Sequence, residues 1–315
     1  MKIVVTGAAG FIGSHLAERL AGDGHDVSGI DCLTGNYARA LKERNVADLR
    51  GGGVDVLPLD IASDDLREAL RDAEAVYHLA AQPGLSARTP FEAFERNNVV
   101  ATFRLLEALR SSSGLRLFVH ISTSSVYGAN ATGDESSEPC PTSYYGVTKL
   151  AAEQLVLAAS RDRGFPACSM RLFSVYGPRE RPEKLYPRLI RSMLEGAEFP
   201  LFEGSDHHLR SFTYVGDAVE GLAAALKFPD RCTGEIFNIG SDAAITTGEG
   251  IRIVERIMGV SAKIVRVPRR PGDQLATKAD IAKARRVLGY APRTPVEEGL
   301  AREVQWHRLG EKEQT

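Results

Sequence analysis

The β-branched run Lys2–Thr6 leads directly into Gly7, Ala8, Ala9, Gly10, Phe11, Ile12 and Gly13, and then into an amphipathic stretch over 14–21. Strand, glycine-rich turn and helix in that order confine the chain to a small set of folds. Gly7, Gly10 and Gly13 allow a tight turn, close approach of backbone to a pyrophosphate, and packing of helix on strand. The first helical N–H groups, around Phe11 and Ile12, have no carbonyl of their own turn and are free for phosphate. Alone, such a triplet is a weak signal, so the rest of the chain has to agree with it.

A second strand, Asp26–Ile30, ends in Asp31, about 20 residues beyond the turn, where a carboxylate accepts both hydroxyls of an adenosine ribose. The same charge repels a 2′-phosphate, which favours NAD over NADP. Further strands are expected over 54–59, ending at Asp60 and Ile61, and over 75–79, leading into Ala80 and Ala81, whose small side chains leave room for a cofactor. Between them 64–72 reads as a helix capped by Ser63. A long helix over 90–112 and a strand over 115–122 continue the alternation. The fold class is therefore α/β: a Rossmann-type, doubly wound parallel sheet whose ligands bind beyond the carboxyl ends of its strands. Ser122, Thr123, Ser124 and Ser125 follow at such an end, although most hydroxyl-rich turns only satisfy their own backbone.

Tyr145 and Lys149 stand four residues apart at the start of an apolar helix over 143–163, and so share one face of it. A nearby ammonium favours the ionised phenol and is expected to lower the Tyr145 pKa, making a base usable near neutrality. By themselves the two side chains could equally decorate an ordinary amphipathic helix. A strand over 167–173 follows, and at Ser174 the pattern loosens. We divide the chain into a dinucleotide-binding part, 1–173, and a smaller α/β lobe, 174–315, with one or two returns to the sheet. Helices are predicted in the lobe over 185–195, 215–227, 247–258 and 279–288, and the polar tail after Gly310 is expected to fray.

With 43% hydrophobic and 25% charged residues in 315, the composition suits a globular protein with one large core and a lesser one. A net charge of −2 gives no reason to expect nucleic acid as partner, and no apolar run approaches the roughly 20 residues of a membrane span. The start lacks a signal-peptide pattern, so a cytoplasmic protein is expected. Cys32, Cys140, Cys168 and Cys232 lie far apart, without the spacing of a zinc site or a disulfide framework, and no metal is expected.

Taken together these residues resemble the extended short-chain dehydrogenase/reductase family. The matching motifs are TGAAGFIG with Asp31, Asp60-Ile61, HLAA at 78–81, Asn98 in NNVVAT, STSSVYG at 122–128, and Tyr145 with Lys149. The resemblance spans essentially the whole chain. It implies NAD as cofactor, Lys149 on the nicotinamide ribose, Thr123 on the substrate hydroxyl and Asn98 near the cofactor. RSFTYVGD at 210–217 and RRPGD at 269–273 resemble the nucleotide-sugar branch, where arginines grip a diphosphate. Guanidinium groups match phosphate oxygens in bidentate fashion. That role is carried to Arg210 and to Arg270, with the adjacent Arg269 as its alternative.

Related 4,6-dehydratases carry an acid pair after the threonine, and the decarboxylases a glutamate. This chain has Ser124 and Ser125, which leaves epimerisation at C4. FSVYGPRERPEK at 173–184 resembles the UDP-glucuronate 4-epimerases, implying that Ser174 and Arg181 hold a C5 carboxylate. Arg88 is the nearest arginine to the place where those enzymes usually have one. The expected activity is interconversion of UDP-glucuronate and UDP-galacturonate through a 4-keto sugar. Alternatives are a UDP-glucose or UDP-N-acetylglucosamine 4-epimerase, a keto-sugar reductase, and a non-catalytic nucleotide-binding regulator, since fold does not fix function. The resemblance also implies a homodimer, paired through the helices over 90–112 and 143–163.

Overall fold

The computed structural model describes residues 1–84, 89–269 and 274–312, with side chains to 310. Seven strands form one parallel sheet: β1 (Lys2–Thr6), β2 (Asp26–Ile30), β3 (Asp55–Leu57), β4 (Ala75–His78), β5 (Leu117–Thr123), β6 (Ala167–Leu172) and β7 (Ile236–Ile239). Their spatial order is β7-β6-β5-β4-β1-β2-β3. The winding reverses at β1, between β2 and β4, which opens a crevice at the carboxyl ends of those strands. Side chains alternate across the pleat, so Ile3 and Val5 enter one apolar layer and Val4 the other. Burial on both faces explains why the strands read as continuous Val, Ile and Leu runs.

Two expected helices differ from the sequence reading. The one over 64–72 contracts to Arg67–Leu70, and Ser63 does not cap it. Instead Asp65 Oδ1 accepts the Arg67 N–H at 3.0 Å, and Asp64 turns back to accept the Asp60 N–H at 2.8 Å. Local carboxylate–backbone bonds have replaced the first helical turn. The segment over 90–112 is helical but not uniform: α-helix Phe91–Phe94, π-helix Glu95–Val100, then α-helix Ala101–Ala108. The wide turn carries Asn98, buried against the helix Tyr144–Arg163.

That helix has well-defined ends. Ser143 accepts the Gly146 N–H at 3.1 Å, and Gly164 closes the helix at φ 65°. At Gly146 a Cβ would lie 2.7 Å from the carbonyl oxygen of Ser125, so the helix start rests directly on the turn after β5. This contact brings Tyr145 beside Thr123.

After β6 the chain builds a second apolar core from Tyr186, Leu189, Phe199, Phe212, Ile251 and Leu300. It returns to the main sheet as β7, paired with β6, after the helix Val215–Ala224. It touches the first part again where Ala276–Thr277 pairs with Asn130–Ala131.

Candidate active site

A cleft of about 1160 Å³ runs from the glycine turn, across the carboxyl ends of the sheet, into the second lobe. At its cofactor end the turn is fitted closely against β4. Gly7 has φ 72°, and a Cβ there would meet the Ala80 nitrogen at 2.8 Å; one on Gly13 would meet the Gly7 carbonyl oxygen at 2.1 Å. Helix Phe11–Gly22 starts at Gly10 with no side-chain cap and no acid in its first turn. The free N–H groups of Phe11, Ile12 and Gly13 therefore face the cleft with the positive end of the helix dipole uncompensated. Asn45 Nδ2 donates to the Ala9 carbonyl at 2.9 Å and braces the turn.

Asp31 lies at the end of β2, its carboxylate held by the N–H groups of Ala9 at 3.2 Å and Leu33 at 2.8 Å. Asp60 and Ile61 line the next section of wall, with Asp60 paired to Arg96 at 2.7 Å. Ala80 and Ala81 form the floor, and Ser122 Oγ is buried there without a protein hydrogen-bond partner. A glycine cradle that any Cβ would fill, a bare helix N-terminus, an anchored ribose-height carboxylate and an orphaned floor hydroxyl fit an extended dinucleotide. Asn98 is not part of the wall. It lies behind it, accepting the Gln82 N–H at 2.7 Å and donating to Thr148 Oγ1 at 3.0 Å, and so shapes the lining through Gln82.

Tyr145 and Lys149 both line the cleft, with Thr123 on the facing turn. Thr123 Oγ1 accepts the Ser125 N–H at 3.1 Å and is hydrogen-bonded to the Tyr145 hydroxyl. The expectation that Lys149 makes this phenol acidic is not met. Burial pushes the Tyr145 pKa up, while the Thr123 hydrogen bond and the Arg181 charge only partly offset it. The reason is the course of the lysine. Its side chain runs inward, 3% exposed, and Nζ lies 3.3 Å from His120 Nε2. Burial pulls its own pKa down to about 8, opposed by the Glu153 charge.

Ser124, Ser125, Ser174, Arg181 and Arg210 also line the cleft. Arg181 pairs with Glu183 at 2.8 Å and lies 3.6 Å from where a Gly84 Cβ would be. Arg210 donates to the carbonyl oxygens of Leu209, at 2.9 Å, and Gln274. Arg269 is exposed and outside the cleft, while Arg88 and Arg270 lie outside the described residues. Sequence reasoning missed Lys42, which donates to Thr34 Oγ1 at 3.0 Å near Asp31, and Gln274, which ties the carbonyls of Ser124 and Gly128 together. It also missed Arg188, which lines the substrate end one helical turn after Lys184. Lys184 and Arg188 at i and i+4 were a readable signal; Lys42 and Gln274 carry none. Among the described residues no cluster of His, Cys, Asp or Glu could hold a metal ion.

Residues 3–240 match the model of the NAD dependent epimerase/dehydratase family. An uncharacterized UDP-glucose epimerase of Bacillus subtilis, YtcB, is 38% identical over 96% of this chain and 97% of its own length. UDP-glucuronate 4-epimerase 3 of Arabidopsis thaliana is 33% identical over 97% of this chain and 76% of its own. The crystal structure of Bacillus cereus UDP-glucuronic acid 4-epimerase in complex with UDP-glucuronic acid and NAD superposes with a TM-score of 0.94. That pair shares 39% identity and covers 98% and 99% of the two chains. By motif order, fold and extent of similarity, this chain belongs to the NAD-dependent epimerase/dehydratase family.

Proposed function

We propose that the protein is an NAD-dependent UDP-sugar 4-epimerase interconverting UDP-glucuronate and UDP-galacturonate. The observation that carries the reading is the cleft wall around Tyr145: hydroxyls at Thr123, Ser124, Ser125 and Ser174 with the Arg181 cation, and no carboxylate on the Ser124–Tyr127 turn. Such a wall accepts an anionic sugar and lacks the acid pair that eliminating water requires. The solved relative with bound UDP-glucuronic acid supports the same choice.

When bound, NAD+ would supply a reversible hydride acceptor, taking the C4 hydride from one face of the sugar and giving it back to the other, and a positive charge in the cleft that Tyr145 lines. The chain's own groups do the rest. Tyr145 takes the proton of the 4′-hydroxyl and returns it after the keto sugar has turned, with Thr123 fixing the direction of the phenolic O–H. A cofactor cation in the cleft would oppose the upward push of burial on the Tyr145 pKa and so favour the phenol as a base. Lys149 holds the ribose, and Gly7, Phe11, Ile12 and Gly13 hold the pyrophosphate. Arg210, with the lobe's cations, grips the sugar nucleotide's diphosphate, leaving the hexose free to rotate. Arg181 and the hydroxyls keep the C5 carboxylate out of the plane in which its bond to C5 would overlap the neighbouring ketone. In this division 1–173 carries cofactor and chemistry, and 174–315 mainly the nucleotide sugar.

The protein acts as a homodimer, a reading supported by the apolar face that the 91–108 and 144–163 helices leave exposed. It works in the cytoplasm, in keeping with cysteines held as free thiols.

Incubating the purified chain with UDP-glucuronate and no added cofactor should yield UDP-galacturonate at constant total NAD(H), with Tyr145→Phe as the inactive control. Conversion of UDP-glucose alone would replace the substrate assignment. Net NAD(P)H consumption would replace the reaction.

A further inference from the structure

A run of buried polar groups lies beneath the catalytic helix, and the reaction as described does not use it. Lys149 Nζ is 3.3 Å from His120 Nε2, His120 Nδ1 is 3.1 Å from Ser169 Oγ, and Ser169 Oγ is 3.1 Å from Glu153 Oε2. Arg171 closes the run with two bonds to Glu153, at 3.0 and 2.6 Å. His120, Ser169 and Glu153 have no exposed surface, and Arg171 has 1%.

The direction of every bond follows from what each group can do. An ammonium only donates, so His120 Nε2 must accept. Burial, with the Lys149 and His78 charges, pushes the His120 pKa well below its ordinary value, so the ring is neutral and its proton sits on Nδ1. Nδ1–H then donates to Ser169 Oγ, the serine O–H donates to Glu153, and the Arg171 guanidinium holds that carboxylate in place with two bonds. Resting on the NAD-dependent tyrosine–lysine reading above, we propose that His120 is a positioning residue for Lys149. Its ring is held by Ser169, Glu153 and Arg171 in the tautomer that accepts from the ammonium and aims it at the cofactor ribose.

The surroundings leave little else to do this. On the same helix Tyr145 precedes the lysine by one turn and Glu153 follows it by one. From β4, His78 is satisfied by Thr6 at 2.8 Å and Thr102 at 3.0 Å. Tyr127, on the turn after β5, is covered by the Arg171 guanidinium 4.6 Å from its ring. From the neighbouring helical segment Asn98 is uncharged, Arg96 goes to Asp60, and Glu107 pairs with Arg163 at the far end. A lysine brought down to about 8, with the Glu153 charge opposing burial, stays charged at neutral pH with a narrow margin, and an imidazole nitrogen accepting from it at 3.3 Å is placed to widen that margin.

The test is the dissociation constant of NAD+, measured by calorimetry on the full chain across the range from about pH 6 to 9.5. In the wild type, affinity should fall as pH rises through about 8, where Lys149 loses its charge. His120→Phe removes the acceptor and should move that midpoint down by about one unit, which is about fivefold weaker binding at the wild-type midpoint and approaches about tenfold above it. His120→Gln, whose amide oxygen can accept, should restore the wild-type midpoint. Ser169→Ala frees the ring to change tautomer and should fall between the two. A wild-type midpoint in His120→Phe, or the same displacement in Phe and Gln variants, would overturn the proposal. Should the Phe variant not fold, a wild-type midpoint in Ser169→Ala overturns it instead. Because the readout involves NAD+ alone, an error in the sugar assignment leaves it untouched.

Discussion

Arg181 stands in the loop after β6 with 17% of its side chain exposed, paired to Glu183 and close enough to Tyr145 to act on its pKa. A sugar carboxylate offers this guanidinium a charge-assisted bond that a hydroxymethyl group cannot match, a difference of roughly 1.5–3 kcal/mol. Arg181→Ala should therefore raise the KM for UDP-glucuronate about 10- to 100-fold and change that for UDP-glucose much less. Equal effects on the two sugars, in side-by-side kinetics, would remove Arg181 from carboxylate recognition. At this scale the sequence was informative wherever chemistry depends on local spacing. Tyr145 and Lys149 at i and i+4, the three glycines, and Asp31 after a strand all sit at the cleft. The sign of the Tyr145 shift was not readable, because it depends on how deeply the ring is enclosed and on which way the lysine points. His120 escaped notice for a related reason: on a fully buried strand a lone histidine looks like any satisfied core residue until its neighbours from β6 and the catalytic helix are in place.

The loop carrying Arg181 is held by an element the sequence reading did not find, the helix Val296–Lys312. Its amphipathic period is masked because Glu303, a polar residue, has no exposed surface and occupies a core position between Leu300 and Val304. Helix Arg39–Gly51 was missed too, since its inward face offers Lys42, Asn45 and Leu49 rather than an apolar stripe. Strand β7 is only four residues long and reads as a fragment of the lobe, though it completes the main sheet. Glu303 meets Glu180 from the Arg181 loop, and burial drives both carboxyl pKa values up, Glu180 to about 7 and Glu303 well above the ordinary carboxyl range. Each folded pKa lies above its unfolded value. The stability this pair contributes is thus fully present below the ordinary carboxyl range and is lost as pH rises through about 7. Glu180→Gln replaces the ionisable carboxyl with a neutral amide whose oxygen can still accept from a protonated Glu303. Its Tm should exceed that of the wild type by a margin that widens between about pH 5 and pH 8. A margin independent of pH, in thermal melts, would show that folding does not raise the Glu180 carboxyl.

At the scale of the molecule, the helices flanking the sheet carry an apolar surface that neither the core nor the cleft accounts for. Phe91, Val100 and Phe103 on one helical run, with Tyr144 and Val147 on the next, are 40–64% exposed although apolar or aromatic. Phe91 and Tyr144 pack edge to face at 5.4 Å, so the two runs present a joined surface rather than scattered side chains. A contiguous exposed apolar patch on two packed helices calls for a covering partner, and a second copy related by a two-fold axis would bury the same patch on both chains. The helix that carries Tyr144 and Val147 also carries Tyr145 and Lys149, so dimerisation would stiffen the element that holds the catalytic pair. Phe103→Asp puts a charge at the most exposed phenylalanine of the patch, with 51% of its surface free and no part in the cleft. Light scattering should then give the mass of one 34.1 kDa chain where the wild type gives two. The monomer should keep NAD+ binding, because the glycine turn and Asp31 lie elsewhere, while its turnover drops as the catalytic helix loosens. A Phe103→Asp protein that remains dimeric would place the interface on another surface, and a wild type that is monomeric at working concentration would end the proposal.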